Sequence, residues 1–447
     1  MSRVTLCLLV LPVLFGGAVG AMGDAIRLGD GRPLVGVYYF THWWEPWRSS
    51  DDRILEDFTR LKKMGVNAVF LDSEWSQMVD RDWYWLDRGH KLAKKAGMQI
   101  LPWLSLKVWV DVSDPGRAAG IKNMYGVDLD IGIGRDGERG RTKPYDPAVI
   151  EAATRYGTDY IERYLKDGAI LHVVRNGKSC PVVALTCELE WTGSFDAVTQ
   201  QMFRLWLRAK YCQDINKLNK VWRTKLAGFD EIDLRDQELF DLGAHCVGKA
   251  AHPGAVEDHI EFRAQVMDTA LSEIKARLKK KFPDLLIATE MPYQMQCKHP
   301  HAVGYRINTG CNPSAARHAD IVVIRATAPL TGEEEKAVLN FKKQTGAQVV
   351  LTYRSSPSWG KDMISGARSQ AEMNRLHAEQ AARIADGFGV YSWNEMVDVH
   401  MMPDPEPPGN PDAVVTETES ARTVDMLAGM VAAFTKAVES GSEGGGD

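Results

Sequence analysis

Residues 181–191 read PVVALTCELEW. Seven uncharged residues, 181–187, run directly into Glu188, Leu189, Glu190 and Trp191. A short run that is apolar on both alternating faces predicts a strand covered on both sides, the form strands take in a parallel sheet wrapped by helices. Glu188 and Glu190 share one face of that strand, because side chains alternate with a period of two. Parallel strands present their ligands at their carboxyl ends, so the two acids and the indole stand where chemistry is expected.

The same unit recurs on either side. Upstream, strand one is 34–40 (LVGVYYF), and a segment at 51–64 carries Ile54, Leu55, Phe58 and Leu61 at helical spacing before Gly65 stops it. Strand two is 67–72, with a helix at 86–96 closed by Gly97. Strand three is 99–104. A polar, glycine-rich stretch at 111–145 reads as a long loop, and the next helix covers 147–166. Downstream of strand four lie helices at 200–211 and 214–222 and a long one at 256–281. Strand five is 285–289, strand six 320–324 and strand seven 347–352. A helix at 367–386 precedes strand eight, 389–393, and the last helix covers 420–438. Eight strands alternating with helices specify an α/β protein of the (β/α)8, or TIM-barrel, type. An open doubly wound sheet shares the alternation. However, no G-x-G-x-x-G or G-x-x-x-x-G-K-[ST] loop follows strand one, which weighs against that form and against a nucleotide ligand.

The ends of the chain set its compartment and extent. Arg3, the apolar residues 6–15 and the small residues up to Ala21 have the layout of a secretory signal peptide, cut after Ala21. An uncleaved anchor is the other form of such a segment, but this apolar run is short of the roughly 20 residues a span requires. The expected organisation is a leader at 1–21, one barrel with loop insertions at 22–439 and a glycine-rich disordered tail at 440–447. The expected location is therefore extracellular or periplasmic, with no membrane association after cleavage. A formal charge of −5 argues against a nucleic-acid partner. Cys180, Cys187, Cys212, Cys246, Cys297 and Cys311 show no CxxC spacing, so zinc is not suggested, and an oxidising compartment leaves their pairing open. No D-x-[DN]-x-[DN]-G calcium loop occurs. Neither a metal nor an organic cofactor is expected.

Carboxylates and aromatics gather at the strand ends. Strand one carries Tyr38 and is followed by His42, Trp43 and Trp44; strand two ends in Asp72 and Glu74; strand three carries Trp103. Strand four supplies Glu188, Glu190 and Trp191, and strand five Glu290 and Tyr293. Strand six offers Arg325, strand seven Tyr353 and Arg354, and strand eight Trp393, Asn394, Glu395 and Asp398. Cleavage of a glycosidic bond needs two carboxyl groups, one to protonate the leaving oxygen and one to act as nucleophile or to activate water. Indole and phenol faces suit the C–H surfaces of sugar rings. Trp206 and Trp222 lie on helical segments and read as core.

Two resemblances sharpen this pattern. VVALTCELEWTG, followed by FRLWLRAKY and LNKVW, resembles the middle of the family-42 glycoside hydrolases, whose strand four ends in Asn-Glu-Tyr before a W-L-x-x-K/R-Y…L-N-x-x-W helix pair. Trp206, Leu207, Lys210, Tyr211, Leu218, Asn219 and Trp222 fit that pattern. The resemblance implies that Glu190 is the general acid/base, with Leu189 in place of the family's Asn. It also implies a nucleophile at the end of strand seven, where this chain has Tyr353 and Arg354. The second resemblance is at strand eight: GVYSWNEMVDVHMMPDP is similar to the family-99 glycoside hydrolases, as is the opening VGVYYFTHWW. Those enzymes use two carboxylates three residues apart after strand eight, which implies Glu395 and Asp398 here.

The expected function is a glycoside hydrolase acting on an oligo- or polysaccharide, with Glu190 as acid and Glu395 as its partner across the mouth. Glu188, Glu290 and Asp398 are the alternative carboxylates. Strands four and eight face each other across an eight-stranded barrel, a separation that suits inversion. A barrel that binds carbohydrate without cutting it is the main alternative, and a metal-dependent hydrolase on the same fold is the other. The sequence leaves oligomeric state open.

Overall fold

The computed structural model describes residues 25–42, 47–73, 83–104, 125–127, 131–186, 193–246, 248–291, 312–326, 329–354, 370–397 and 417–443. Eight parallel strands form a closed ring: β1 (Val35–Tyr39), β2 (Ala68–Asp72), β3 (Gln99–Trp103), β4 (Lys178–Ala184), β5 (Leu286–Met291), β6 (Ile321–Ala326), β7 (Gln348–Arg354) and β8 (Gly387–Tyr391). Each pairs with the next, and β8 returns to β1 through Phe388↔Val35 and Val390↔Val37. The ring is the expected (β/α)8 barrel.

The period of two sorts the apolar residues into two cores. Tyr38, Phe70, Leu101, Trp103, Val182, Ala184, Ala288, Val323 and Val350 fill the barrel interior as one cluster. Val37, Val69, Ile100, Val322, Val349 and Val390 point outward and pack beneath the helices. Phe70 crosses the interior because its neighbours lack side chains. A Cβ on Gly36 would stand 2.2 Å from its ring, and one on Gly389 would stand 3.0 Å away.

The helices follow their signals. α1 (Asp51–Lys63) is capped by the Ser50 side chain, which accepts from the Arg53 amide. α2 (Tyr84–Ala96) ends in Gly97 at φ +67°, and α3 (Pro147–Tyr164) starts from the Asp146 cap with proline in its first turn. α4 (Ala197–Lys210), α5 (Ile215–Trp222) and α6 (Pro253–Lys281) follow β4. Trp222 is core, its indole donating to Asp258, and Trp206 is half-buried, donating to Gln265. α7 (Gly332–Thr345) is additional to the expected helices. Its signal was present, a Thr331–Glu334 capping box before it and Gly346 after it. α8 (Gln370–Ile384), α9 (Trp393–Val397) and α10 (Glu417–Glu443) follow, and a five-residue helix at Leu242–Cys246 and single turns at Phe229–Glu231 and Pro313–Ala316 lie in the connections.

Three further strand pairings, all antiparallel, were not expected. Ile131–Ile133 and Arg139–Thr142 form a small antiparallel pair within the long loop after β3. His172–Arg175 forms a hairpin with the start of β4 through an Asn176-Gly177 turn at φ +52° and +74°, and Arg27–Leu28 pairs beside it. Ile26, Leu28, Leu171 and Val173 from this hairpin join the interior cluster and close the amino-terminal end of the barrel. Cys180 and Cys212 are free thiols. Among the described residues no helix is long and apolar enough to cross a membrane.

Candidate active site

The carboxyl-terminal mouth is built from the last inward positions of the strands. β1 supplies Tyr38, β2 Asp72, β3 Trp103, β5 Glu290, β6 Arg325 and β8 Tyr391, and all but Tyr391 are buried. The Tyr38 hydroxyl crosses the barrel and donates to Glu290 Oε1 at 3.2 Å. Arg325 Nε stands 3.5 Å from the same oxygen. The Arg325 guanidinium lies over the ring of Tyr391, 4.8 Å from its centroid. Around Tyr38 stand Trp103 at 4.2 Å edge-on, Tyr391 at 5.0 Å and Phe70 at 5.2 Å. The inner wall is thus a cation–carboxylate pair set among aromatic rings, with Phe70 and Trp103 edge-on to Tyr38 and Tyr391 tilted against it.

The loops above the strands are held by buried polar residues. Arg88 donates to the carbonyls of Thr41 at 2.8 Å and Trp47 at 2.9 Å and pairs with Asp51, so one guanidinium ties down both ends of the loop after β1. Ser73 follows Asp72; its carbonyl accepts from Tyr156, and its hydroxyl meets Tyr160 at 3.2 Å. After β4, Gly193 lies at φ +97°, and a Cβ there would meet Arg263 at 3.2 Å. Ser194 and Asp196 are bonded together, Ser194 accepts from Ile133, and Lys143 stands 3.8 Å from Asp196. Burial and the nearby Arg135 hold Arg263 down at a pKa of about 9, and burial with Arg263 and Arg135 keeps His259 neutral.

The expected site residues divide into groups. Tyr38, Trp103 and Glu290 are brought together, and Asp72 pairs in register with Trp103. His42 packs beside Trp85; burial, with Arg48 and Arg88 nearby, lowers its pKa to about 3. Three expected sugar contacts are corrected. Tyr353 is on the outer face of the barrel, stacked on His377 at 3.6 Å, with its hydroxyl donating to Gln380. Trp393 is in the outer core under Arg60. Asn394 is wholly buried; it accepts from the Phe40 amide at 2.9 Å and donates to the Phe40 carbonyl at 3.0 Å. The cause is a boundary: β8 ends at Tyr391, not at residue 393, and α9 turns the chain outward. Tyr391, the real strand end, was missed for the same reason, although its parity with Gly389 marks it as inward. Trp43, Trp44, Glu74, Glu188, Glu190, Trp191, Tyr293 and Asp398 lie outside the described residues, as do the side chains of Arg354 and Glu395.

A closed parallel barrel with this acid, guanidinium and aromatic lining at its mouth has the form of a (β/α)8 glycoside hydrolase. Residues 37–309, more than half of the chain, match the glycoside hydrolase family 42 profile, described as beta-galactosidase, and the chain belongs to that family. The family-42 resemblance of the strand-four region is thereby borne out. No curated protein sequence matches the chain. Among solved structures, the cold-adapted beta-galactosidase from Rahnella sp. R3 superposes with a TM-score of 0.59 at 15% identity, covering 93% of this chain and 58% of that one. The catalytic domain of beta-amylase from Paenibacillus polymyxa gives 0.56 at 15% identity, covering 82% and 93%. The beta-galactosidase from Bacillus circulans sp. alkalophilus gives 0.55 at 14% identity, covering 89% and 55%. At these identities the likeness is one of fold. The chain spans little more than half the length of the two beta-galactosidases.

Proposed function

We propose that this chain hydrolyses O-glycosidic bonds of a β-galactoside or a related oligo- or polysaccharide, with Glu190 as proton donor. Family membership supports the reaction class, and the observation that carries the sugar site is the inward wall of Tyr38, Trp103, Glu290, Arg325 and Tyr391 at the barrel mouth. Strand seven ends in Arg354, so it supplies no carboxylate there. Glu395, in the helical turn just after β8, is the partner we assign, with Asp398 as its neighbour three residues on. β4 and β8 lie opposite each other in the ring, which suits an inverting displacement through water. Hydrolysis of a chromogenic β-galactoside panel, with the anomer released followed by NMR, tests this. Glu190→Gln and Glu395→Gln should each cut kcat by roughly 10²–10⁴-fold.

The second reading is a sugar-binding barrel without catalysis, favoured by the arginine at the end of β7. Sugar binding without turnover across the panel would establish it. We also infer export, from the leader-like residues 1–21.

A further inference from the structure

We propose that the buried Glu290–Arg325 pair is a positioning pair that sets the face of Tyr391 toward the sugar, and that Glu290 is not one of the two reacting carboxyl groups. The inference rests on the mouth being a sugar site, as proposed above. A donor, nucleophile or base must touch the sugar or its water, yet Glu290 is 0% exposed and Arg325 4%. Tyr391 is the member of this group with surface left open. The contacts run in series: Tyr38 hydroxyl to Glu290 at 3.2 Å, Glu290 to Arg325 at 3.5 Å, and Arg325 over Tyr391 at 4.8 Å. Tyr38 also flanks Tyr391 at 5.0 Å, so Glu290 orients both the guanidinium behind the ring and the phenol beside it. Taking two charges out of water is costly, often more so than filling the space with well-packed apolar residues, and fixing a geometry is one use to which buried ion pairs are put. Arginine suits the task, since its planar head can pair edge-on with a carboxylate and stack face-on against a ring.

The pair makes a distinct kinetic prediction. Glu290→Gln and Arg325→Met should each raise KM about tenfold while kcat changes less than about threefold, and the pH–rate profile should keep both limbs. Tyr391→Leu should raise KM to a similar extent. Arg325→Met combined with Tyr391→Leu should be no worse than Tyr391→Leu alone, because both changes remove one contact. Azide should not rescue Glu290→Gly. Loss of a pH limb, azide rescue, or independent additive effects of Arg325 and Tyr391 would overturn the proposal. If the single changes do not fold, Glu290→Gln with Arg325→Met removes both charges together and is read in the same assay. A wild type that binds galactose without hydrolysing the panel defeats the hydrolase reading, and the same comparisons are then made on Kd by calorimetry. A wild type that binds no sugar overturns both.

Discussion

Asn394 offers a direct test of how the mouth is held. Its side chain makes the two hydrogen bonds a neighbouring strand would make, accepting from the Phe40 amide at 2.9 Å and donating to its carbonyl at 3.0 Å, with no exposed surface. Asn394→Ala removes the Asn394 bonds to a buried N–H and a buried C=O, at about 1–3 kcal/mol each, so the total is about 2–6 kcal/mol. Unfolding entropy of about 2 cal/mol/K per residue gives a chain of this size a slope near 1 kcal/mol per degree. The thermal midpoint should therefore fall by about 2–6 °C in scanning fluorimetry. KM for a chromogenic glycoside, measured at 20 °C where the variant is folded, should change less than about threefold. Asn394→Asp keeps the acceptor for Phe40 N–H but turns a second acceptor on the carbonyl; it should be worse than wild type at neutral pH and partly recovered in acid, where the protonated carboxyl can donate. A midpoint within about 1 °C of wild type together with a tenfold rise in KM would mean that Asn394 contacts the sugar, and the backbone role would be refuted.

Two further outcomes are expected. His377 is buried against Tyr353, and burial lowers its pKa to about 3, so the native state keeps it neutral while the unfolded chain takes up a proton below about 6.5. Stability from this group is complete above about pH 6.5 and is lost as pH falls toward 3, at up to about 1.4 kcal/mol per unit. His377→Phe should flatten the fall in thermal midpoint between pH 7 and 4.5; parallel curves for variant and wild type would contradict the assignment. Expressed with its leader in a Gram-negative host, the chain should be recovered from the periplasm beginning at Met22 by N-terminal sequencing. Retention of residues 1–21 on a membrane-bound product would show an anchor instead.

The barrel was legible because each strand is a short apolar run and several helices carry a stop or a cap: Gly65 and Gly97 at two carboxyl ends, Asp146 at an amino end. The site was less legible, because two residues at a strand end decide which face a side chain takes. Extending β8 to residue 393 put Trp393 and Asn394 in the mouth; the strand stops at Tyr391, and both serve the scaffold. Tyr353 shows the same sensitivity, standing one residue from Thr352 and facing the helices. Glu290 lies at the end of β5 as the sequence suggested, but its partners come from strands far apart in sequence, and no local pattern announces a contact between residues 38 and 290. The hairpin at 172–180 was readable in its Asn-Gly turn and was overlooked beside the stronger run that follows.

The seam between β1 and β8 also sets when this molecule can become a barrel. Asp386 fastens that seam: its carbonyl accepts from Ile26, its carboxylate from Val349 and Lys342, and Phe388 beside it bonds to Leu34. Residues near 26 therefore wait for partners that are synthesised some 360 positions later, on the order of half a minute at about 5–20 residues per second. Throughout that interval β1 presents an unpaired edge, the kind of surface chaperones cover and other chains invade. A growing chain that cannot close early is also one that stays threadable, which accords with the export inferred from its first residues.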